Sequence, residues 1–125
     1  MHYIDSNVII RLITNDVPEL TRQAVAMLEG IDAGSAVILD AVITEVCFVL
    51  EFNDNYRLPR SIIYDGLYAI FDTLGAQRGD YTDVALDLFI KYPKLDYVDC
   101  LLLAVAGGKQ TAVVTFDKQL LRHLA

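Results

Sequence analysis

Two apolar rhythms take turns along this chain. Short unbroken apolar runs read as buried strands, and apolar residues three or four apart read as one face of a helix. The run from His2 to Ile4, closed by Asp5, predicts a strand over 2–5. Asp5, Ser6 and Asn7 can then cap a helix reaching Leu12. Pro18 and Glu19 open a second helix, with Leu20, Ala24, Met27, Leu28 and Ile31 at helical spacing and Gly30 and Gly34 at its end. Residues 36–39 predict the second strand. Residues 42–53 predict a helix with Val42, Val46, Val49 and Leu50 on one face, broken by Asn53-Asp54-Asn55.

Pro59 opens a further helix with the stripe Ile62, Ile63, Leu67 and Ile70, and 74–77 is a short strand candidate. Residues 81–92 predict an amphipathic helix with Val84, Ala85, Leu88 and Phe89 inward, ended by Tyr92-Pro93. Residues 97–106 predict a nearly all-apolar, central helix that Gly107-Gly108 stops. Residues 111–115 predict the last strand, and 118–124 a final short helix. Strands separated by helices imply an α/β domain over 1–125, with a central, mainly parallel sheet between two helical layers. Right-handed crossovers place the strand ends on one edge, where α/β folds put their sites.

Composition narrows the class. With 125 residues, 54% of them hydrophobic, the chain can build one real core and is not disordered. No apolar run approaches the roughly 18 residues that span a bilayer. The N-terminus lacks a basic signal region, so a cytoplasmic location is expected. A net charge of −7 argues against non-specific nucleic-acid binding through a broad basic surface, but not against a nucleic-acid substrate at a cation-neutralised site. Cys47 and Cys100 have apolar neighbours and read as core residues. With no CxxC and with His2 and His123 near opposite ends, a Cys/His zinc site is not expected.

The candidate chemistry is acidic. Asp5 ends the first strand candidate, Glu45 sits in the expected first turn after the second, Asp99 opens the run from Cys100 to Ala106, and Asp117 follows the last strand candidate. Each also has a plain structural reading. Asp5, Asp96, Asp99 and Asp117 can be helix caps, and Glu45 a first-turn acid facing water. Asp40 reads as a turn or cap residue. Asp99 is harder to assign to capping alone, because its helix looks buried and carboxylates are rarely buried unless paired or metal-bound. Asp96 lies three residues before Asp99 and shares its helical face. Carboxylates gathered at one sheet edge repel one another unless a cation joins them. Oxygen-only donors suit Mg2+ or Mn2+, ions that activate water and stabilise the leaving oxygen in phosphodiester hydrolysis.

The set Asp5-Ser6-Asn7, Glu45, Asp96-Tyr97-Val98-Asp99 before an apolar helix, and Thr115-Phe116-Asp117 resembles a PIN domain over essentially the whole chain, and within that superfamily the small VapC-type toxins. The resemblance implies a metal-dependent endoribonuclease leaving a 5′-phosphate and a 3′-hydroxyl. It implies that Asp5, Glu45, Asp99 and Asp117 hold Mg2+ or Mn2+, with Asp96 an additional acid, and that Asn7 and Thr115 support the site by hydrogen bonds. Arg11, Lys91, Lys94 and Lys118 lie close in sequence to these elements and are candidate phosphate contacts. The resemblance also implies a homodimer and a cognate antitoxin, both using the aromatic-rich segment 51–72 with Phe52, Tyr56, Leu58, Ile62, Tyr64, Leu67 and Tyr68. One departure is the chain's end at Ala125, where relatives often carry a further short strand.

Rival α/β readings fit less well. A receiver domain needs an acidic pair after the first strand and a late lysine, and a haloacid-dehalogenase-type phosphatase needs Asp-x-Asp; Asp5-Ser6-Asn7 supplies neither. A non-toxin PIN nuclease of RNA processing and a non-catalytic PIN-like binding module remain as alternatives.

Overall fold

A computed structural model of the chain describes residues 1–124, Gln110 through its backbone alone. The end at Ala125 lies outside the described residues. The backbone forms two compact units, 1–79 and 80–125.

The first unit opens with β1 (His2–Tyr3), followed by α1 (Ser6–Thr14), α2 (Pro18–Glu29), β2 (Ala36–Val37), α3 (Asp40–Phe52) and α4 (Arg60–Leu74). The two strands run parallel, with His2 opposite Ala36 and Tyr3 opposite Val37. Parallel pairing needs a crossover, and α1 and α2 supply it. A parallel bridge joins Val37 to Gln77, so the expected strand over 74–77 is reduced to a single pairing beside β2. The cause is local: Leu74 still belongs to α4, which ends at Gly75 with φ 56°. The expected strands over 2–5 and 36–39 are likewise shorter, because Asp5 already caps α1 and Leu39 already caps α3.

Ile9, Ile10, Ile38, Ile43, Leu50, Ile63, Leu67 and Phe71 are buried as the core of this unit. Gly66 sits inside α4, where glycine weakens a helix. A Cβ there would stand 2.9 Å from Ile13 Cγ1, so the glycine is what lets α4 approach α1. Three expected stripes are corrected. In α3 the buried face is Ile43, Val46, Cys47 and Leu50, with Val42 and Val49 only half-buried. In α2 only Ala24 is buried, and Leu20 and Met27 face solvent. In α4 the buried face runs Ile63, Leu67, Ile70, Phe71 and Leu74, which leaves Ile62 exposed.

The second unit holds α5 (Thr82–Lys91), α6 (Tyr97–Ala106), a 3-10 turn (Gln110–Ala112) and α7 (Lys118–Arg122). α5 packs on α6, and Phe89 meets Tyr97 edge-on with ring centroids 6.3 Å apart. The buried face of α5 is Thr82, Ala85, Leu86 and Phe89, so Leu86 replaces the expected Val84, which is exposed. α6 begins and ends as its cap signals require, at Asp96 and at Gly107 with φ 60°. It is not buried all round, since Val98, Leu102 and Val105 are exposed.

The expected strand over 111–115 is absent from the described residues. Residues 110–112 close a 3-10 turn, and the Thr115 hydroxyl accepts the Asp117 N–H at 3.0 Å. These local bonds take the place of a ladder. Val114 and Phe116 are fully exposed. No described helix is long and apolar enough to cross a membrane.

Candidate active site

In the first unit, Asp5 caps α1 from extended backbone (φ −80°, ψ 155°). Its Oδ1 accepts the Ser6 N–H at 2.8 Å and the Ser6 hydroxyl at 3.4 Å. One carboxylate oxygen thus satisfies a free helix N–H, and among the described residues no hydrogen bond engages the other. Asp5 is exposed beside an open cleft of about 590 Å3 lined by Tyr3, Val8, Met27, Leu28 and Ile31. Asn7, also exposed, borders a shallower depression with Arg11 and Gln23.

Glu45 corrects the expectation of a first-turn acid. α3 begins at Asp40, not at Val42, so Glu45 falls in the second turn. Asp40 is the acid of the first turn. Ile43, Val46, Cys47 and Leu50 form the buried face of α3, and Ala41, Glu45, Phe48 and Phe52 are exposed.

Arg11 is engaged. Its Nη1 donates to both oxygens of Asp16, at 2.9 and 2.8 Å, and Tyr56 donates its hydroxyl to Asp16 at 2.7 Å. The Tyr56 hydroxyl, followed by the Arg11 guanidinium, holds the Asp16 carboxyl well below the usual carboxylate range. This clasp joins the end of α1 to the loop after α3. Sequence reasoning missed it, because residues 16 and 56 carry no motif and meet only through the packing of the helices.

In the second unit, Asp96 and Asp99 form a capping box. The Asp99 N–H donates to Asp96 Oδ1 at 2.8 Å, and the Asp96 N–H donates to Asp99 Oδ2 at 3.4 Å. Asp117 caps α7, with Oδ1 accepting the N–H groups of Gln119 at 2.8 Å and Leu120 at 3.2 Å. Thr115 holds the Asp117 backbone from behind. Asp99 is half-buried, and its pKa is pushed up to about 6, first by burial and then by the charge of Asp96, with Asp117 adding to it. Asp96, Asp99 and Asp117 therefore belong to one electrostatic neighbourhood. Lys91 lies 5.3 Å over the Tyr92 ring, and Lys94 and Lys118 are exposed.

The donor chemistry fits a hard divalent cation: capping Asp residues keep an oxygen to offer, and Asp99 carries a charge that its surroundings disfavour. Among the described residues, no three of His, Cys, Asp and Glu are already arranged as a metal-holding group.

The PIN domain family model matches residues 2–125. The chain belongs to the PIN domain family. That match spans both units, and with the helix-rich chain and its parallel strands it establishes the PIN-like α/β/α fold. PIN domains are generally nucleases that act on nucleic acid with divalent metal ions, so the chain has a nuclease-type function. No curated protein and no solved structure gives a match.

Proposed function

We propose that this PIN domain is a Mg2+- or Mn2+-dependent endoribonuclease that works in the cytoplasm as the toxin of a toxin–antitoxin pair. The nuclease part of the reading is supported above all by the family match along the chain, with the Asp99 carboxyl half-buried in a capping box with Asp96 and raised by that burial and by Asp96 and Asp117. A carboxylate whose charge is penalised by its surroundings gains when a cation is added.

Asp5, Glu45, Asp99 and Asp117 would hold the cation, with Asp96 as a further ligand. When bound, that cation supplies an activated water and neutralises charge on the leaving oxygen of the phosphodiester. Asn7 would orient a carboxylate or the substrate, and Thr115 fixes the backbone on which Asp117 is mounted. Lys91, Lys94 and Lys118 would contact phosphates flanking the cleaved bond. Arg11 would join them only by leaving Asp16.

As a dimer surface we propose the side of α4 that carries Tyr64 and Tyr68, with the antitoxin bound on the same 51–72 segment. Tyr64 and Tyr68 stack with ring centroids 4.7 Å apart on one side of the helix.

The test of the nuclease reading is RNA cleavage by the wild type and by Asp5→Asn, Glu45→Gln, Asp99→Asn and Asp117→Asn. Each substitution is expected to cost more than about a hundredfold, since even the partners of metal ligands are worth about 10- to 100-fold. The toxin role is tested by induced expression. Growth arrest that Asp99→Asn abolishes and the neighbouring gene's product relieves supports it, and normal growth opposes it.

A further inference from the structure

We infer that Tyr92 and His123 are positioning residues, which clamp α7 against the turn before α6 and so keep Asp117 beside Asp96 and Asp99. The inference rests on the reading of these acids as cation ligands. All of these residues lie in the second unit.

Asp117 needs such a clamp. It is mounted at the start of α7, a helix of five residues, and helices shorter than about 12 residues are marginal in water on their own. The chain that leads to it from α6 holds Gly107 and Gly108 at positive φ and, for regular structure among the described residues, the 3-10 turn Gln110–Ala112. A connection of that kind leaves the placing of Asp117 to packing. Leu120 and Leu124 are buried and hold α7 down. His123 adds a directed contact. Its ring lies on Tyr92 with centroids 4.3 Å apart and planes at 59°. Tyr92 is a fixed support. Its N–H donates to the Leu88 carbonyl at 2.8 Å, and its carbonyl accepts the Leu95 N–H at 3.0 Å, in the turn that delivers Asp96 to α6. The ring pair thus joins the two chain segments that carry Asp96, Asp99 and Asp117.

A line of hydrogen bonds also runs from the His123 ring to the acid. His123 Nδ1 lies 2.8 Å from the Gln119 carbonyl oxygen, which can only accept, so Nδ1 carries the hydrogen and donates. The Gln119 N–H in turn donates to Asp117 Oδ1 at 2.8 Å. One residue is therefore held by His123 through its carbonyl and grips Asp117 through its amide. A leucine at 123 could fill the space but would make neither the ring contact nor the bond. The charge of Asp117 is felt at Asp99, in keeping with two segments held close.

The experiment measures binding of Mn2+ alone to the full chain, by paramagnetic resonance of the free ion, well below the melting temperature of every variant. RNA cleavage is followed against Mn2+ concentration in parallel. The variants are Tyr92→Ala, Tyr92→Phe, His123→Ala and His123→Phe, and Asp117→Asn alone and combined with Tyr92→Ala. Leu86→Val, at a buried position of α5, is the control for lost stability.

Tyr92→Ala and His123→Ala are expected to weaken Mn2+ binding about tenfold or more. The Mn2+ needed for half-maximal cleavage rises by the same factor, while cleavage at saturating Mn2+ changes little. Tyr92→Phe keeps the ring and the affinity. His123→Phe keeps the ring pair, loses the bond to Gln119 and falls between. Leu86→Val lowers the melting temperature without moving the affinity. In the Asp117→Asn protein, Tyr92→Ala removes nothing further, because both act through one group. Lower melting temperatures with unchanged Mn2+ affinity in the Ala variants overturn the inference and make the ring pair structural. So does a full additional loss when Tyr92→Ala is added to Asp117→Asn. If an Ala variant does not fold, His123→Phe decides, and wild-type affinity there overturns the inference. Asp117→Asn with undiminished Mn2+ binding defeats the reading of Asp117 as a ligand, and a wild type that binds no Mn2+ defeats that reading for the whole cluster; either takes the clamp with it.

Discussion

Asp99 carries the sharpest residue-scale prediction. Its folded pKa of about 6 lies above the ordinary carboxyl value of 3.8. Between those values the folded state holds the proton more tightly, so metal-free stability falls as pH rises from about 4 to 6 and stays lowered above. Asp99→Asn removes that penalty and keeps an oxygen for the Asp96 N–H. Thermal melts in EDTA are expected to show a higher melting temperature for the variant above pH 6, and a flatter profile between pH 4 and 6. A variant that melts well below the wild type at every pH would make Asp99 structural. Asp16 has the opposite sign. Its depressed carboxyl contributes stability above the ordinary pKa that is lost as pH falls toward its folded value. Tyr56→Phe removes the hydroxyl that depresses it most, so an NMR titration of the Asp16 carboxyl is expected to move up toward the ordinary range.

At the scale of elements, capping chemistry was the legible part. Asp96 before α6 and Gly107-Gly108 after it mark both ends, because a free helix N–H demands an acceptor and a left-handed C-terminal residue favours glycine. Asp5 and Asp117 were readable for the same reason, and each does cap. Faces were less legible. α5 has apolar residues on both sides, so spacing alone could not decide between Val84 and Leu86. The run Ala112-Val113-Val114-Thr115 has strand-forming residues, yet the 3-10 turn and the Thr115 hydroxyl satisfy its ends locally. The site acids were found as residue types, but burial of Asp99 and engagement of Arg11 depend on packing that no local pattern records. Gly66 is a case where packing beats propensity. Gly66→Ala improves intrinsic helicity, but its Cβ meets the stiff branch of Ile13. Overpacking of this kind costs about 1–3 kcal/mol, so a lower melting temperature is expected. A rise would mean that α1 yields freely.

At the scale of the whole molecule, charge and self-association come together. A chain of net charge −7 that acts on a polyanion needs its acids offset by a cation, so RNA binding near the carboxylates is expected to strengthen when Mn2+ is added. Tyr64 and Tyr68 also stack within their own helix, and Tyr68 meets Phe71 edge-on. If their outer sides carry the dimer, changing both to Ala lowers the mass seen by sedimentation at dilute concentration, and an unchanged mass removes this surface from consideration. The central claim is a metal-dependent ribonuclease built on these acids. Its most direct test is incubation of a mixed structured RNA with purified protein in Mn2+, in Mg2+ and in EDTA, with Asp99→Asn in parallel. The account predicts cleavage that requires metal and is lost in the variant. Cleavage that survives EDTA or the loss of Asp99, or a folded protein that neither cuts RNA nor binds metal, would contradict it.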